Sequence, residues 1–337
     1  MKICQVLAGN EDGGLEKHTI ELSKQLVNRG FDVTVIAHKD FAEYFENINF
    51  IPLDLSKSRN NFFILFKLYK ILKKGNFDIV HTQANKATSM VTKIKSFISA
   101  KIVSTLHSYK KNLSPFEKSD FVITVSNKVA EKIENKNIKT IYNGIEFYNV
   151  DNSEILQKYK IPQNKFLICS VGRLCDVKRF DLLIKSIKDL DVFCVLIGDG
   201  ENKDSLINLA KKEEVEEKIL FTGNIDNQEV RKILQKVDLS IISSDREGFS
   251  YFFAESLVYS TPIISTNVAD IKDIIGNNYI VPFNDYNQLN EKINYVKNNY
   301  DEVLKDFQEK FEYAQNKFTI ENMVNETIEV YKKVLNK

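Results

Sequence analysis

The chain has 337 residues, 43% hydrophobic and 28% charged, with a net charge of +1. Those proportions exclude a disordered chain, and the length exceeds what one ordinary core fills, so two domains are expected. No run reaches the roughly 20 apolar residues of a membrane span, and no nucleic-acid partner is expected.

The opening stretch MKICQVLAGNEDGG has an apolar run too short for a secretory signal, and it lacks a cleavage pattern. Cys4, Cys169, Cys175 and Cys194 form no C-x-x-C pair and mostly sit in apolar strand-like runs. Both features point to a cytoplasmic chain with reduced thiols.

In chain order, KICQVLA reads as the first strand. LEKHTIELSKQLVNRG follows as a helix with an apolar face of Leu15, Ile20, Leu22, Leu26 and Val27, stopped at Gly30. Gly13 and Gly14 lie between the two. Adjacent glycines let a backbone approach a ligand, and a tight turn explains them equally well. DVTVIA, NFIPL, DIVHT, KIVSTL, FVITV and KTIYN are the next expected strands. Asn61 to Gly75 reads as a helix with nine apolar or aromatic residues in the thirteen from Phe62 to Lys74, and Lys67, Lys70 and Lys74 recur on one side. Such a helix is either clamped between sheet and neighbouring helix or laid in a membrane interface and drawn to anionic headgroups. His81 follows DIV and His107 closes a strand in STLHSY. Each is either a buried, satisfied imidazole or a donor to a phosphate or sugar hydroxyl. His18 and His38 show no evident role.

The pattern pauses over residues 144–164, read as a linker between a first domain, 1–143, and a second, 165–315. The second restarts with FLICSVG, VFCVLIG, ILFTG, LSIISS and PIIST, each followed by a helical segment. Residues 316–337 are helical without another strand and are expected to pack across the junction. Charge divides at the same place: residues 1–143 carry 22 Lys and Arg against 14 Asp and Glu, and the remainder 25 against 32. Strand–helix alternation of this kind implies two α/β domains with parallel sheets.

In such sheets ligands bind beyond the carboxyl ends of the strands. SVGRLCDVKRFDLLI places Gly172, Arg173 and Lys178 there, where fixed positive charge can hold a diphosphate or simply be solvated. IGDGENK offers a bare G-x-G, a weak dinucleotide signal. SSDREGFSYFFAESL puts Glu247 in a loop and Glu255 about one and a half turns into a helix beginning near Ser250. Two carboxylates then face one crevice from two depths, although Glu near a helix start is also common because the dipole favours it. Asp189 to Asp191 precede a strand and read as a surface turn, and no metal site is expected.

The glycine pair, STLHS, IYNGIE, VGRLCDVKRFDLLI, IGDGEN, FTG and SSDREGFSYFFAES, in that order over almost the whole chain, resemble the retaining glycosyltransferases of family 4, the group-1 type. The resemblance implies the GT-B fold: two Rossmann-like α/β domains facing across a cleft, with a C-terminal helix crossing back. It implies catalytic roles for His107, Glu247, Arg173 and Lys178. Gly13, Gly14, Gly172, Arg173, Lys178, Gly248, Phe249, Ser250 and Glu255 would bind the donor. Glu255 would accept from the ribose, Glu247 would face the sugar, and Arg173 and Lys178 would neutralise the diphosphate. No cofactor is implied. The donor would be a UDP- or GDP-linked sugar, and the acceptor a glycan or lipid-linked molecule of bacterial surface polysaccharide or lipopolysaccharide synthesis. Peripheral contact with an anionic membrane, at the inner face of the cytoplasmic membrane, would bring such an acceptor within reach. Three positions depart from the family pattern and bear on sugar choice: Ser250 in place of a second Gly, Gln83 where a second His is frequent, and ADIKDII without its glycine pair. A sugar-nucleotide epimerase or hydrolase on the same fold is the alternative chemistry. A non-catalytic partner subunit is a third reading, against which Glu247, Glu255, Arg173 and Lys178 argue.

Overall fold

A computed structural model describes residues 1–9, 13–147, 151–152 and 154–336. The chain forms two units, Met1–Gly144 with Ile320–Lys337, and Ile145–Thr319. In the first unit, β1 (Lys2–Leu7), β2 (Asp32–Ala37), β3 (Asn49–Pro52), β4 (Ile79–Gln83), β5 (Lys101–Leu106), β6 (Phe121–Thr124) and β7 (Ile138–Thr140) form one sheet. Its order is β3-β2-β1-β4-β5-β6-β7, and every neighbouring pair is parallel. All seven runs expected as strands contain a strand, although KTIYN is one only at Lys139 and Thr140. Pro52 ends the edge strand β3, where its missing N–H costs no ladder bond.

Side-chain alternation explains how this sheet is covered. On β1, Ile3 and Leu7 pack with Leu22 and Leu26 of the helix Gly14–Asn28 and with Val324 and Ile328 of the helix Ile320–Val334. Cys4 and Val6 face the other way, onto Leu68 and Leu72 of the helix Phe62–Gly75 and Met90 of the helix Ala84–Lys93. The last helix of the chain is therefore part of the first unit's core.

The second unit holds β8 (Phe166–Val171), β9 (Val192–Ile197), β10 (Ile219–Gly223), β11 (Leu239–Ile242), β12 (Ile263–Thr266) and β13 (Ile280–Val281), in the parallel order β10-β9-β8-β11-β12-β13. Of the residues read as a linker, 144–164, four lie outside the described residues and Gly144 closes the first unit. The others belong to the second unit, where Ile155 and Ile161 are buried and the Tyr159 hydroxyl donates to Glu229 at 2.8 Å. The helix Tyr300–Lys317 stops before Ile320–Val334 at Phe318, whose buried ring lies 5.8 Å from that of Phe249 and 6.0 Å from that of Phe253. A Cβ on Gly144 would sit 2.4 Å from Ile320 Cα, so only glycine lets these two chain segments pass so closely.

One helix departs from ordinary packing. In Phe62–Gly75, Ile64, Leu68 and Leu72 are buried, while Phe62, Phe63 and Phe66 remain 72%, 76% and 45% exposed. The clamped reading of this helix does not hold for that aromatic end. Among the described residues no helix is long and apolar enough to cross a membrane.

Candidate functional site

In each sheet the strand order reverses direction of growth once, between β1 and β4 and between β8 and β11. At such switch points the loops leaving adjacent strands diverge and open a crevice.

At the second unit's switch point, the chain leaves β8 through Gly172 and turns at Asp176–Lys178, while the chain leaving β11 runs from Ser243 to Glu247. The two loops are tied together: Ser243 Oγ donates to the Lys178 carbonyl at 2.8 Å, and Asp245 N–H donates to the Val177 carbonyl at 2.8 Å. Lys178 Nζ consequently meets Glu247 Oε1 at 2.6 Å, and Ser244 Oγ donates to the same oxygen at 2.8 Å. Both side chains are largely buried, and the other carboxylate oxygen of Glu247 accepts from no described residue. Gly172 makes room for the lysine, since a Cβ there would lie 3.1 Å from Lys178 Cε. Arg173 goes elsewhere: it is exposed, with Nε 3.3 Å from Glu201 in the loop after β9.

That neighbouring loop is locked to the first. Gly198 has φ +133°, and a Cβ on it would fall 2.1 Å from the Gly172 carbonyl oxygen. Leu174 N–H donates to the Asp199 carbonyl at 2.9 Å.

Ser250 caps the helix Tyr251–Val258, its Oγ accepting from Phe253 N–H at 3.2 Å. This is the start expected from sequence. Gly248 and Ser250 are buried, the Phe249 ring packs edge-on to Tyr251 at 5.7 Å, and Glu255 is 7% exposed within the helix.

In the first unit the same parity that builds the core builds a polar network. Gln5 pairs with His81, and Leu7 with Gln83, across β1 and β4, while Gln83 pairs with Thr105 across β4 and β5. Odd-numbered residues therefore share one face. His107 Nε2 meets Gln83 Oε1 at 2.8 Å, Gln83 Nε2 donates to Gln5 Oε1 at 2.9 Å, and Gln5 Nε2 donates to the Tyr331 hydroxyl at 3.3 Å. Tyr331 OH lies 2.6 Å from His81 Nδ1, and His81 Nε2 lies 2.7 Å from Thr105 Oγ1. One assignment satisfies every link: the tyrosine donates to His81 Nδ1, and His107 donates from Nε2, which leaves its Nδ1 as a lone pair.

His18 completes the cluster, its ring 4.8 Å from that of His107 in an edge-on contact. Among the described residues neither of its nitrogens has a close hydrogen-bond partner although the residue is buried, and the Asn143 side chain lies nearby. Burial lowers His18 to about 4, against a smaller opposing effect of nearby Asn143, and lowers His81 to about 3. His107 is held well below the usual imidazole range, first by burial and then by the other two histidines. All three are neutral rings at pH 7.

Gly13 and Gly14 line a cavity of about 630 Å³ in the first unit, together with Gln83 to Lys86, Arg59 and Lys110. Sequence reasoning missed His18, Gln5 and Tyr331. Gln5 carried a usable signal, being a polar residue at an inward position of a buried strand. Among the described residues no three His, Cys, Asp or Glu side chains are grouped to hold a metal ion.

Two Rossmann-like parallel-sheet units, each with one strand-order switch point, define the GT-B fold. The chain belongs to the group-1 glycosyltransferases: the family model for glycosyl transferases group 1 matches residues 151–317, and that for glycosyltransferase family 4 matches residues 12–147. It is 26% identical over 298 residues to N-acetyl-alpha-D-glucosaminyl L-malate synthase of Bacillus anthracis, covering 76% of each chain. It is also 26% identical over 286 residues to the lipopolysaccharide core biosynthesis glycosyltransferase LpsE of Rhizobium meliloti, covering 79% of each. Among solved structures, a glycosyltransferase of Rickettsia africae superposes with a TM-score of 0.87 at 23% identity, over 100% of this chain and 99% of that one. Anabaena HepE in complex with UDP superposes with a TM-score of 0.85 at 16% identity, over 99% and 100%.

Proposed function

We propose that this glycosyltransferase takes its sugar from a UDP- or GDP-linked donor held by the second unit and passes it, with retention and without a metal ion, to a glycan or lipid-linked acceptor of surface polysaccharide or lipopolysaccharide synthesis. The carrying observation is the Lys178–Glu247–Ser244 arrangement at the β8/β11 switch point. Glu247 keeps one oxygen for a sugar hydroxyl, and Lys178 stands beside it as the counter-charge for a diphosphate. The helix Tyr251–Val258 starts at the same strand end and carries Glu255 for the ribose.

Breaking the bond between the anomeric carbon and the diphosphate oxygen leaves negative charge on the departing group, so a cation fixed beforehand helps most in the transition state. The acceptor oxygen forms its bond to that carbon on the face the diphosphate leaves, and its proton passes to a diphosphate oxygen. The neutral His107, with its free Nδ1, accepts a hydrogen bond from a sugar hydroxyl. HepE in complex with UDP and the lipopolysaccharide role in the name of LpsE support the donor and the pathway. The exposed aromatic end of Phe62–Gly75, flanked by lysines, supports work at the cytoplasmic face of an anionic membrane.

The test is transfer from UDP- and GDP-sugars in excess chelator, with product anomers read by NMR. Retained configuration at an undiminished rate is expected. Inverted product, activity restored only by magnesium or manganese, or sugar released without any acceptor would each overturn the corresponding part.

A further inference from the structure

We propose that the cavity at the carboxyl ends of β1 and β4 binds a phosphate group carried by the acceptor, an inference that rests on the transfer reading above and names its acceptor class. Arg59, Lys86 and Lys110 all line this cavity, and none of them forms an ion pair with a described residue. Arg59 donates to the Asn85 side chain at 3.0 Å, and Lys86 reaches the Ser56 carbonyl, so two of the three cations are held in place by neutral partners. Asn85 in turn donates to the Asn112 carbonyl at 2.8 Å, joining the helix Ala84–Lys93 to the loop that carries Lys110. Among the described residues the one carboxylate on the wall is Glu16, which is buried against Gly9 and Gly13. Among the described residues three cations thus stand against one carboxylate, a balance that suits a phosphate monoester of charge about −1.5 to −2 better than a single carboxylate.

The backbone adds to this. The helix Ala84–Lys93 opens into the cavity without a side-chain cap, because the amide of its N-cap residue, Gln83, is engaged by His107 and Gln5. Among the described residues no side chain caps its first N–H groups, and the helix dipole favours an anion there. Ala84 itself has φ +62°, a conformation that a residue with a Cβ adopts at a cost and that places the helix start against the cavity. Gly13 and Gly14 add no side chains of their own to the lining.

Inorganic phosphate is the probe, titrated calorimetrically into the full chain saturated with UDP, so that the second unit's donor site is filled. Saturable phosphate binding is expected, weakened at least tenfold by Arg59→Ala combined with Lys110→Ala, with UDP affinity unchanged. Both residues are exposed, and the double variant should keep the wild-type Tm. Absence of phosphate binding, or equal binding by the double variant, overturns the inference. A fall in UDP affinity in the double variant also overturns it, because the cavity would then serve the donor. If the wild type binds neither UDP nor GDP, the transfer reading fails on its own account. The same phosphate titration in a Lys178→Ala background then decides the cavity separately.

Discussion

Lys178 and Glu247 meet at 2.6 Å because Gly172 clears the strand exit and Ser243 pins the lysine's own carbonyl. Each residue is therefore placed by the other's loop. Lys178→Ala removes a charge-assisted bond worth about 1.5–3 kcal/mol, so UDP affinity should fall roughly 10- to 150-fold. The two carboxylates should separate kinetically. Glu247→Gln keeps the Ser244 bond but removes the charge facing the sugar, and should lower kcat. Glu255→Gln, at the ribose end, should chiefly raise the donor KM. Steady-state kinetics on both variants decide this, and an unchanged kcat in Glu247→Gln would make that residue's role structural.

At the level of elements, β1, β4, β5 and the helices Gly14–Asn28 and Ile320–Val334 together bury histidines that folding keeps uncharged. His18 stands at about 4 and His81 at about 3, both below the value near 6.5 of an unfolded chain. Between those limits the unfolded chain binds protons that the folded chain refuses. The stability is thus present above pH 6.5 and is lost as pH falls toward 4. For His18 alone, the drop from 6.5 to about 4 corresponds to roughly 3 kcal/mol lost by pH 4. Differential scanning calorimetry from pH 7.5 to 5 should show a falling Tm for the first unit's transition, and His18→Leu should flatten that slope. A wild-type Tm that does not move would contradict the buried neutral state. This cluster also marks where the sequence stops being readable. The strands and the Ser250 helix start were legible because period-2 runs and a capping serine are local signals. His18 was not, because its neighbours are His107 and Asn143, far along the chain, and Tyr331 reaches His81 across 250 positions. β13 escaped for the opposite reason, since two residues are too short to carry a period.

For the whole molecule, the question is what covers the aromatic end of the first unit. Phe62 stacks on Phe66 at 6.2 Å, Phe66 meets Tyr69 at 6.2 Å, and Tyr69 meets Phe97 at 6.1 Å, so these rings form one continuous strip. With Phe97 at 66% exposure, the strip faces water at a cost no isolated surface residue carries. Lysines border it: Lys70 lies over the Phe66 ring at 4.6 Å, and Lys73 donates to the Tyr69 hydroxyl at 2.8 Å. Residues 51–140 carry 17 Lys and Arg against 6 Asp and Glu, so the surroundings are positive. A water-facing protein partner would match the rings alone, whereas a bilayer of anionic lipid matches both layers, rings entering the acyl boundary and lysines meeting headgroups at about 1 kcal/mol each. Liposome co-sedimentation should therefore show binding that requires anionic lipid and weakens with salt. Lys70→Glu, Lys73→Glu and Lys74→Glu together should abolish the dependence on anionic lipid, and Phe62→Ser with Phe63→Ser should weaken binding without altering its salt response. Equal sedimentation of wild type and the triple-Glu variant would leave this strip for a protein partner and the acceptor for solution.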